Sequence, residues 1–269
     1  MTIDLNNICD QVIGISREVG KFISHEQSRL GTQNIEEKGH NDFVTYVDKA
    51  AETLLVNELA AVIPDCGFIT EEKTVAQESK EYIWIIDPID GTTNFIHGLP
   101  LYSISIALMH QNKIILGVVY EISNDECFYA VKGNGAFLNG KPIKVSNRRT
   151  VANSLIVTGF PYRFADRLDA WMALFVHFIK NSHGVRRLGS AAIDLAYVAC
   201  GRFEAFYEYG LSPWDVAAGG FIVQQAGGAV SDYSGTSDWL FGNELLAGND
   251  LVNEEMLVSI NEYFPKAIS

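Results

Sequence analysis

Paired cysteines and regularly spaced histidines, the usual protein ligands of zinc, are missing from this chain. Its four cysteines stand far apart, at Cys9, Cys66, Cys127 and Cys200, and form no CxxC pair. Its six histidines show no ligand spacing either. We therefore expect reduced, mostly buried thiols and no zinc site.

Long apolar runs and an excess of positive charge are also missing. The longest apolar stretch, residues 170–179, is too short to cross a bilayer, and charged residues interrupt positions 1–25, where a signal peptide would need an apolar core. The 20 Lys and Arg face 33 Asp and Glu, and the net charge of -13 repels nucleic acid and anionic membranes. We expect a cytoplasmic protein that does not bind membranes, and nucleic-acid binding is disfavoured.

What the chain does have is enough apolar residues for a large core, since 48% of its 269 residues are hydrophobic. Helical periodicity predicts one helix with apolar positions from Ile8 to Phe22 and a second over 48–62 that ends before Pro64. Short strand-like runs follow over 67–132. The first half is therefore predicted to be two helices on an antiparallel sheet.

Other patterns complete the predicted architecture. The alternation of Ile, Ser, Ala and Leu over 103–108 is typical of a strand covered on one face, and Asn139-Gly140 predicts a hairpin turn. The polar stretch 31–42 has no periodicity and is interpreted as a mobile loop. Strands and helices alternate after residue 146, which favours crossover helices. We predict an α+β domain over 1–145 and an α/β domain over 146–269.

The segment with most chemical information is 84–95, which reads WIIDPIDGTTNF. A buried-looking strand leads into Asp87, after which proline prevents a regular continuation and glycine permits a sharp turn. Asp87 and Asp90 can converge on a hard cation, with the Ile89 carbonyl as a neutral ligand. The N–H groups of Gly91 and Thr92 suit a phosphate. The alternative is an ordinary surface turn, because these residues favour turns for independent reasons.

The same segment resembles, residue for residue from Asp87 to Phe95, the signature of the inositol monophosphatase family. A second match lies downstream, where WDVAAGG begins at Trp214 and AGG begins at Ala226. Two long signatures in this order make chance resemblance improbable. The resemblance implies a layered αβαβα sandwich of the sugar phosphatase type, magnesium-dependent and lithium-sensitive hydrolysis, and a homodimer.

The resemblance also implies a ligand set for two to three magnesium ions. The matching positions are Glu71, Asp87, the Ile89 carbonyl, Asp90 and Asp215. All these ligands are oxygens, which favours magnesium over zinc, and a bound cation would reverse the repulsion of an anionic substrate. The residues alone favour a solvated acidic pair at Glu71 and Glu72, and for Asp215 they favour the N-cap of a helix over 214–226, a role that is compatible with metal binding.

The same resemblance implies that the catalytic residues are Thr92, Asp48 and Glu71. In the family the aspartate accepts a hydrogen bond from the threonine, and the pair orients a metal-activated water for direct in-line attack. Asp48 alone would be a helix cap or a surface charge. Lys38 resembles part of the family's mobile flap. Phosphatases of the haloacid dehalogenase type are rejected, because they place their aspartates as D-x-D.

Substrate selection is more open than the reaction class. The family's substrate contacts match Gly91, Thr92, Thr93, Gly189, Ser190, Ala191 and Glu208. Glu208 suits hydroxyl groups, although the residues alone equally favour a helix start at 189–191 and an exposed charge at Glu208. Ser212 replaces a histidine of animal members, and 159–163 follows a bacterial pattern. Arg186 and Arg187 are either structural, part of a dimer contact, or binders of a second phosphate.

These features predict hydrolysis of a phosphate monoester of a small polyol or sugar, with inositol monophosphate as the type substrate. NADP, fructose 1,6-bisphosphate and 3′-phosphoadenosine compounds are alternative substrates of the same chemistry. Uncatalysed hydrolysis needs acceleration of up to roughly 10^21, and acid–base groups contribute only about 10^2 to 10^4, so the cations carry much of the catalysis. The second hypothesis is a regulatory or interaction role on this fold, such as binding RNA or transcription machinery.

Overall fold

In the computed structural model, residues 3–29, 35–39, 42–78, 80–161 and 167–264 are described. The helices are α1 (Leu5–Gln27), α2 (Tyr46–Val62), α3 (Thr92–Ile96), α4 (Leu168–Asn181), α5 (Ala191–Ala199), α6 (Pro213–Gln225) and α7 (Asp250–Tyr263). The strands are β1 (Ile35–Gly39), β2 (Asp42–Thr45), β3 (Gly67–Thr70), β4 (Tyr82–Asp90), β5 (Ser103–His110), β6 (Lys113–Glu121), β7 (Glu126–Val131), β8 (Ala136–Leu138), β9 (Lys141–Ile143), β10 (Leu155–Thr158), β11 (Gly184–Arg186), β12 (Ala205–Tyr209), β13 (Ala229–Ser231) and β14 (Glu244–Gly248).

Helices and sheets alternate in five layers, which confirms the predicted αβαβα sandwich. Helices α1 and α2 pack on one face of a seven-stranded sheet, in a core that includes Leu55 and Trp84. Helices α5 and α6 fill the layer between the two sheets, where Ile222 is buried. Helices α4 and α7 cover the outer face of a five-stranded sheet with Trp171 and Met256. The division into domains at residues 145 and 146 stays a prediction.

The two large sheets differ in strand direction. The first has the order β3-β4-β5-β6-β7-β8-β9 and is antiparallel except between β3 and β4. The second has the order β11-β10-β12-β14-β13, with β10 parallel to β11 and β12 and with β14 antiparallel to both of its neighbours. Strand β14 was not predicted from the sequence, although its apolar Leu245-Leu246-Ala247 run is typical of a buried strand.

Two predictions for the first half are wrong. Strand β5 is buried on both faces except at His110, because α6 covers the face predicted to be open and Ser105 Oγ donates to the Trp214 carbonyl at 3.0 Å. The stretch interpreted as a loop contains β1, which pairs with β2. A backbone ladder needs no apolar alternation, so this pairing left no hydrophobic signal. Residues 31–34, 40–41 and the Lys38 side chain lie outside the described residues.

Two other sequence predictions, for the hairpin turn and the cysteines, are confirmed. Asn139 and Gly140 have φ angles of 47° and 79° and connect β8 to β9. All four cysteines are free thiols, with Cys9 and Cys127 buried. No helix in the described ranges is both long and apolar enough to span a bilayer.

Candidate active site

Three carboxylates from two distant parts of the chain meet where β4 ends and α6 begins. Oxygen atoms of Asp87, Asp90 and Asp215 all lie within 4.8 Å of one another. Asp87 and Asp90 are only 2% and 9% exposed, whereas Asp215 is partly exposed. The sequence prediction that these three residues converge is confirmed.

An irregularity in β4 turns its two carboxylates toward one place. Asp87 pairs with Ser105 and Asp90 pairs with Ser103, so two residues of β4 face a single residue of β5. Residues three apart on a regular strand point to opposite faces, and the extra residue corrects this. The prediction that proline prevents a regular continuation after Asp87 is confirmed, and pairing resumes at Asp90 after the bulge.

Gly91 then makes the turn into α3. Its φ angle of 94° lies in the left-handed region, and a Cβ atom would lie 3.0 Å from the Leu101 carbonyl and 3.2 Å from the Gly189 carbonyl. Only glycine fits this position without strain. The close approach brings the α3 turn against residues 189 and 190, which were predicted to contact substrate.

Asp215 is the third residue of α6 and completes a capping box. Helix α6 begins at Pro213 with Ser212 as its N-cap, and the Ser212 N–H donates to Asp215 Oδ2 at 2.6 Å. The alternative that Asp215 is itself the N-cap is wrong, because proline at 213 starts the helix two residues earlier. The bond to Ser212 fixes the carboxylate while Oδ1 can face the cluster.

The three carboxylates repel one another in a poorly hydrated place. Burial raises the pKa of Asp87 well above its usual range, and the charges of Glu71, Asp90 and Asp215 raise it further. Burial, followed by the charge of Asp90, also raises the pKa of Asp215. Burial raises the pKa of Asp90, although donors from Ser190 and Ala192, each at 2.6 Å, oppose the shift. A hard divalent cation would relieve this repulsion, so an all-oxygen cluster of this kind fits magnesium.

The cluster opens into a cavity of about 180 Å³. Its lining includes seven of the residues predicted from sequence, namely Glu71, Asp90, Gly189, Ser190, Ala191, Glu208 and Asp215. Gly91, Thr92 and Thr93 do not belong to the lining that the described residues form, and Thr93 is exposed on α3. The cavity therefore joins the acidic cluster to most, but not all, of the predicted substrate contacts.

Asp48 and Thr92 are in contact beside the cluster. Thr92 Oγ1 lies 3.3 Å from Asp48 Oδ1 and 2.9 Å from the Ile89 carbonyl oxygen, so its single hydrogen has two acceptors to choose from. Asp48 Oδ2 accepts from the N–H and the hydroxyl of Thr45 at 2.8 and 2.6 Å, as part of the α2 capping box. Asp48 is thus a helix-capping residue that also contacts Thr92.

Ser190, at the start of α5, and Glu208, on β12, both line the cavity. The Ser190 hydroxyl donates to Asp90 and also caps α5 through the Ile193 N–H, so the helix-start alternative and proximity to the site are both correct. Glu208 is partly buried rather than an exposed charge, and burial raises its pKa to about 8, with Arg187 opposing the shift. A Cβ atom at Gly159 would lie 2.1 Å from the Glu208 carboxylate, so glycine makes room for it.

Asp194 is an acidic residue of the cavity that was not predicted from the sequence. It is 1% exposed, its Oδ1 has no hydrogen-bond partner among the described residues, and burial raises its pKa well above the usual range. Its signal was that it is the one charged residue of α5. Arg187 lines the cavity with its guanidinium 5.3 Å from the Phe160 ring, whereas Arg186 is exposed outside it. Residues 162 and 163 lie outside the described residues.

Known proteins resemble this chain over almost its whole length. Residues 4–266 match the model of the inositol monophosphatase family. The chain is 40% identical to Nus factor SuhB of Pseudomonas aeruginosa, over 94% of this chain and 95% of that protein. It is 37% identical to inositol-1-monophosphatase of Mesorhizobium japonicum, over 93% and 95%. The crystal structure of extragenic suppressor protein suhB from Bartonella henselae superposes with a TM-score of 0.89 at 35% identity, over 97% of this chain and all of that one.

Proposed function

This chain belongs to the inositol monophosphatase family, and we propose that it hydrolyses the phosphate monoester of a small polyol or sugar in a magnesium-dependent reaction. Family members in general depend on magnesium and bind small phosphorylated substrates. The observation that carries the proposal is the convergence of Asp87, Asp90 and Asp215 beside a polar cavity that also contains Glu208. Inositol monophosphate is the type substrate.

The proposed magnesium site would hold two to three ions. Its ligands would be Glu71, Asp87, the Ile89 carbonyl, Asp90 and Asp215. When bound, magnesium lowers the pKa of a water molecule and neutralises charge on the phosphoryl group. The support is that burial, and after it the charges of neighbouring carboxylates, raise the pKa values of Asp87 and Asp215, and a bound cation would offset both effects.

The proposed role of Thr92 and Asp48 is to orient the attacking water. When the Thr92 hydroxyl donates to Asp48, its oxygen lone pairs accept a hydrogen from the water, and a lone pair of the water then faces phosphorus. Glu71 would accept the second hydrogen. The 3.3 Å contact between Thr92 and Asp48 supports this arrangement.

The proposed substrate contacts lie on two sides of the cavity. The phosphate would accept hydrogen bonds from the N–H groups of Gly91 and Thr92, with Thr93 beside them. The polyol would lie against Gly189, Ser190 and Ala191, with its hydroxyls donating to Glu208. The bulge and turn around Gly91 support this, because they bring α3 against residue 189.

The test is a panel of phosphorylated substrates, each assayed for phosphate release with and without magnesium. We expect release from inositol 1-phosphate that needs magnesium and that lithium inhibits. Comparing kcat/KM for inositol 1-phosphate, NADP, fructose 1,6-bisphosphate and 3′-phosphoadenosine compounds would identify the preferred class. No release from any phosphomonoester would refute the proposal and favour the second candidate.

The second candidate is a regulatory interaction, suggested by the relative named Nus factor SuhB. Such a role is compatible with catalysis, since the cluster of Asp87, Asp90 and Asp215 suits a phosphatase whether or not the chain also binds a partner. A pull-down with purified RNA polymerase and, separately, with RNA would test it. Retention of neither would remove this candidate.

We further propose that the chain forms a homodimer. Four apolar side chains on α4 are 39% to 51% exposed and recur at helical spacing, at Leu168, Met172, Val176 and Ile179. Such a stripe is typical of a helix that packs against a partner. Light scattering after size exclusion should give twice the chain mass of 29.7 kDa, and the chain mass itself would contradict the proposal.

A further inference from the structure

Glu52 is a buried carboxylate that binds the chain next to a proposed magnesium ligand. It lies on α2 and is 0% exposed. Its oxygens accept three hydrogen bonds, all of 2.7 Å, from the N–H of Glu72 and from the N–H and hydroxyl of Thr74. Glu72 directly follows Glu71. One side chain of α2 therefore fixes the backbone on the carboxyl side of Glu71.

The segment that Glu52 binds has little regular structure of its own. Strand β3 ends at Thr70, and the chain then turns sharply through Lys73, whose φ angle of 55° is unusual for a residue with a side chain. Such a conformation persists only where its surroundings determine it. Glu52 accepts hydrogen bonds from the two residues that flank Lys73, so this carboxylate holds both sides of the turn.

Glu52 also lies one helical turn after Asp48. Residues four apart share a face of a helix, and both side chains are buried. Asp48 contacts Thr92 on one side of the site, while Glu52 holds the segment of Glu71 on the other. A single rigid helix thus sets the distance between the two sides.

We propose that Glu52 is a positioning residue, which sets the geometry of Glu71 for magnesium and for the attacking water without touching either. The inference rests on the proposed function, because it assigns Glu71 to the magnesium site. Groups that orient metal ligands typically change metal affinity or activity by about 10- to 100-fold when they are lost. Glu52 acts through two backbone N–H groups and the Thr74 hydroxyl, so its effect does not depend on the identity of residues 72 and 73.

The chemistry of the three hydrogen bonds requires a carboxylate. An ionised carboxylate only accepts, and here it meets three donors. Glutamine has the same shape but replaces one oxygen with an NH2 group, which would oppose an N–H or hydroxyl donor. Glu52→Gln should therefore release one end of the segment while leaving the volume of the core unchanged.

The experiment measures magnesium dependence in Glu52→Gln by two readouts, the magnesium-induced rise in melting temperature and phosphate release. We expect the magnesium concentration at half-effect to rise about 10- to 100-fold in both. Thr74→Val removes only the hydroxyl bond and should give a smaller rise. The matched control is Glu204→Gln, a buried carboxylate at the opposite end of β12 from Glu208 that accepts the Leu155 N–H at 2.6 Å. It should lower the melting temperature without changing magnesium dependence.

A Glu52→Gln protein with wild-type magnesium dependence, or one shifted no more than Glu204→Gln, would overturn the inference. If Glu52→Gln does not fold, Thr74→Val decides, and an unchanged magnesium midpoint in that variant would overturn it. Failure of the proposed function is distinguishable, because a wild-type protein without phosphatase activity can still show the magnesium-induced thermal shift on which the variants are compared.

Discussion

At the scale of single residues, the proposed site is a place where function opposes stability. Asp87 and Asp90 are buried together with Asp215 close by, and each has a raised pKa because water does not solvate its charge well. Such groups cost free energy in a folded chain unless a cation compensates them. The carboxylates are therefore easier to explain as ligands than as structural residues.

The first prediction concerns Asp87. Asp87→Asn should reduce turnover by at least about 100-fold, because it removes a direct ligand of magnesium. Loss of a group that only orients a ligand costs up to about 100-fold, and loss of the ligand itself should cost no less. The melting temperature of the metal-free protein should not fall, since one like charge has left the cluster. The exposed Asp65, which pairs with Lys80 at 2.9 Å, gives a control in Asp65→Asn with unchanged turnover. Normal turnover in Asp87→Asn would contradict the ligand assignment.

A second prediction separates recognition of the polyol from recognition of phosphate. Above the pKa of about 8 that burial gives Glu208, where its carboxylate is charged, Glu208→Gln should raise KM for inositol 1-phosphate by about 10- to 100-fold, because a hydrogen bond to a charged group is lost. p-Nitrophenyl phosphate has no polyol hydroxyls, so its KM should stay within about twofold. Equal changes for both substrates in steady-state assays would show that Glu208 acts on the phosphate or on the fold.

Single residues were predictable where their neighbours in sequence carried the signal. Asp87 and Asp90 share one short motif, so the strand, proline and glycine around them indicated a cation site directly. Asp194 and Glu52 lie in helices whose other residues are ordinary, and only the fold shows that one lines the cavity and the other holds the segment after Glu71. Their one sequence signal was a charge on an otherwise buried helix face.

At the scale of elements, α6 connects the two halves of the site. It packs across the seven-stranded sheet, and its first turn carries Asp215. Ser105 of β5 pairs with Asp87 and donates to the Trp214 carbonyl, so the strand and the helix are joined next to the cluster. The serines of β5 looked like a solvent-facing pattern because sequence alternation does not reveal which helix covers a sheet.

The third prediction tests this close packing of α6. A Cβ atom at Gly117 of β6 would lie 2.9 Å from the Ala218 carbonyl oxygen, so Gly117→Ala should destabilise the protein by about 1–3 kcal/mol and lower activity by displacing α6. Gly14 of α1 has nothing within 4 Å of such an atom, and Gly14→Ala should stabilise by about 0.5–1 kcal/mol. Urea unfolding measures both. Similar free energies for the two variants would contradict the packing account.

At the scale of the whole molecule, the layering comes from patterns in the sequence, whereas the concentration of charge at the cavity comes from folding. The five layers follow from amphipathic helices and short strands that had to be covered, which is why the fold class was predictable. The order of the second sheet was not, because β14 is antiparallel and lies between β12 and β13. The net charge of -13 is spread over the chain, and only folding concentrates part of it at the cavity.

The fourth prediction links this concentrated charge to pH. The pKa values of Asp87, Asp90 and Asp215 are raised on folding, so the folded protein binds more protons than the unfolded chain above the usual carboxyl range. These groups make their full contribution to the stability of the metal-free protein at acid pH. That contribution is lost as the pH rises through their raised pKa values. The gain in melting temperature with magnesium should therefore grow from about pH 5 to pH 8. A gain that shrinks over this range would contradict the account.

The most direct measurement is a crystal structure with Mn2+ replacing magnesium, located by its anomalous scattering. We expect strong anomalous peaks at the end of β4, from ions bonded to carboxylate oxygens of Asp87, Asp90 and Asp215. Peaks elsewhere on the surface, with these three side chains turned away from one another, would contradict it.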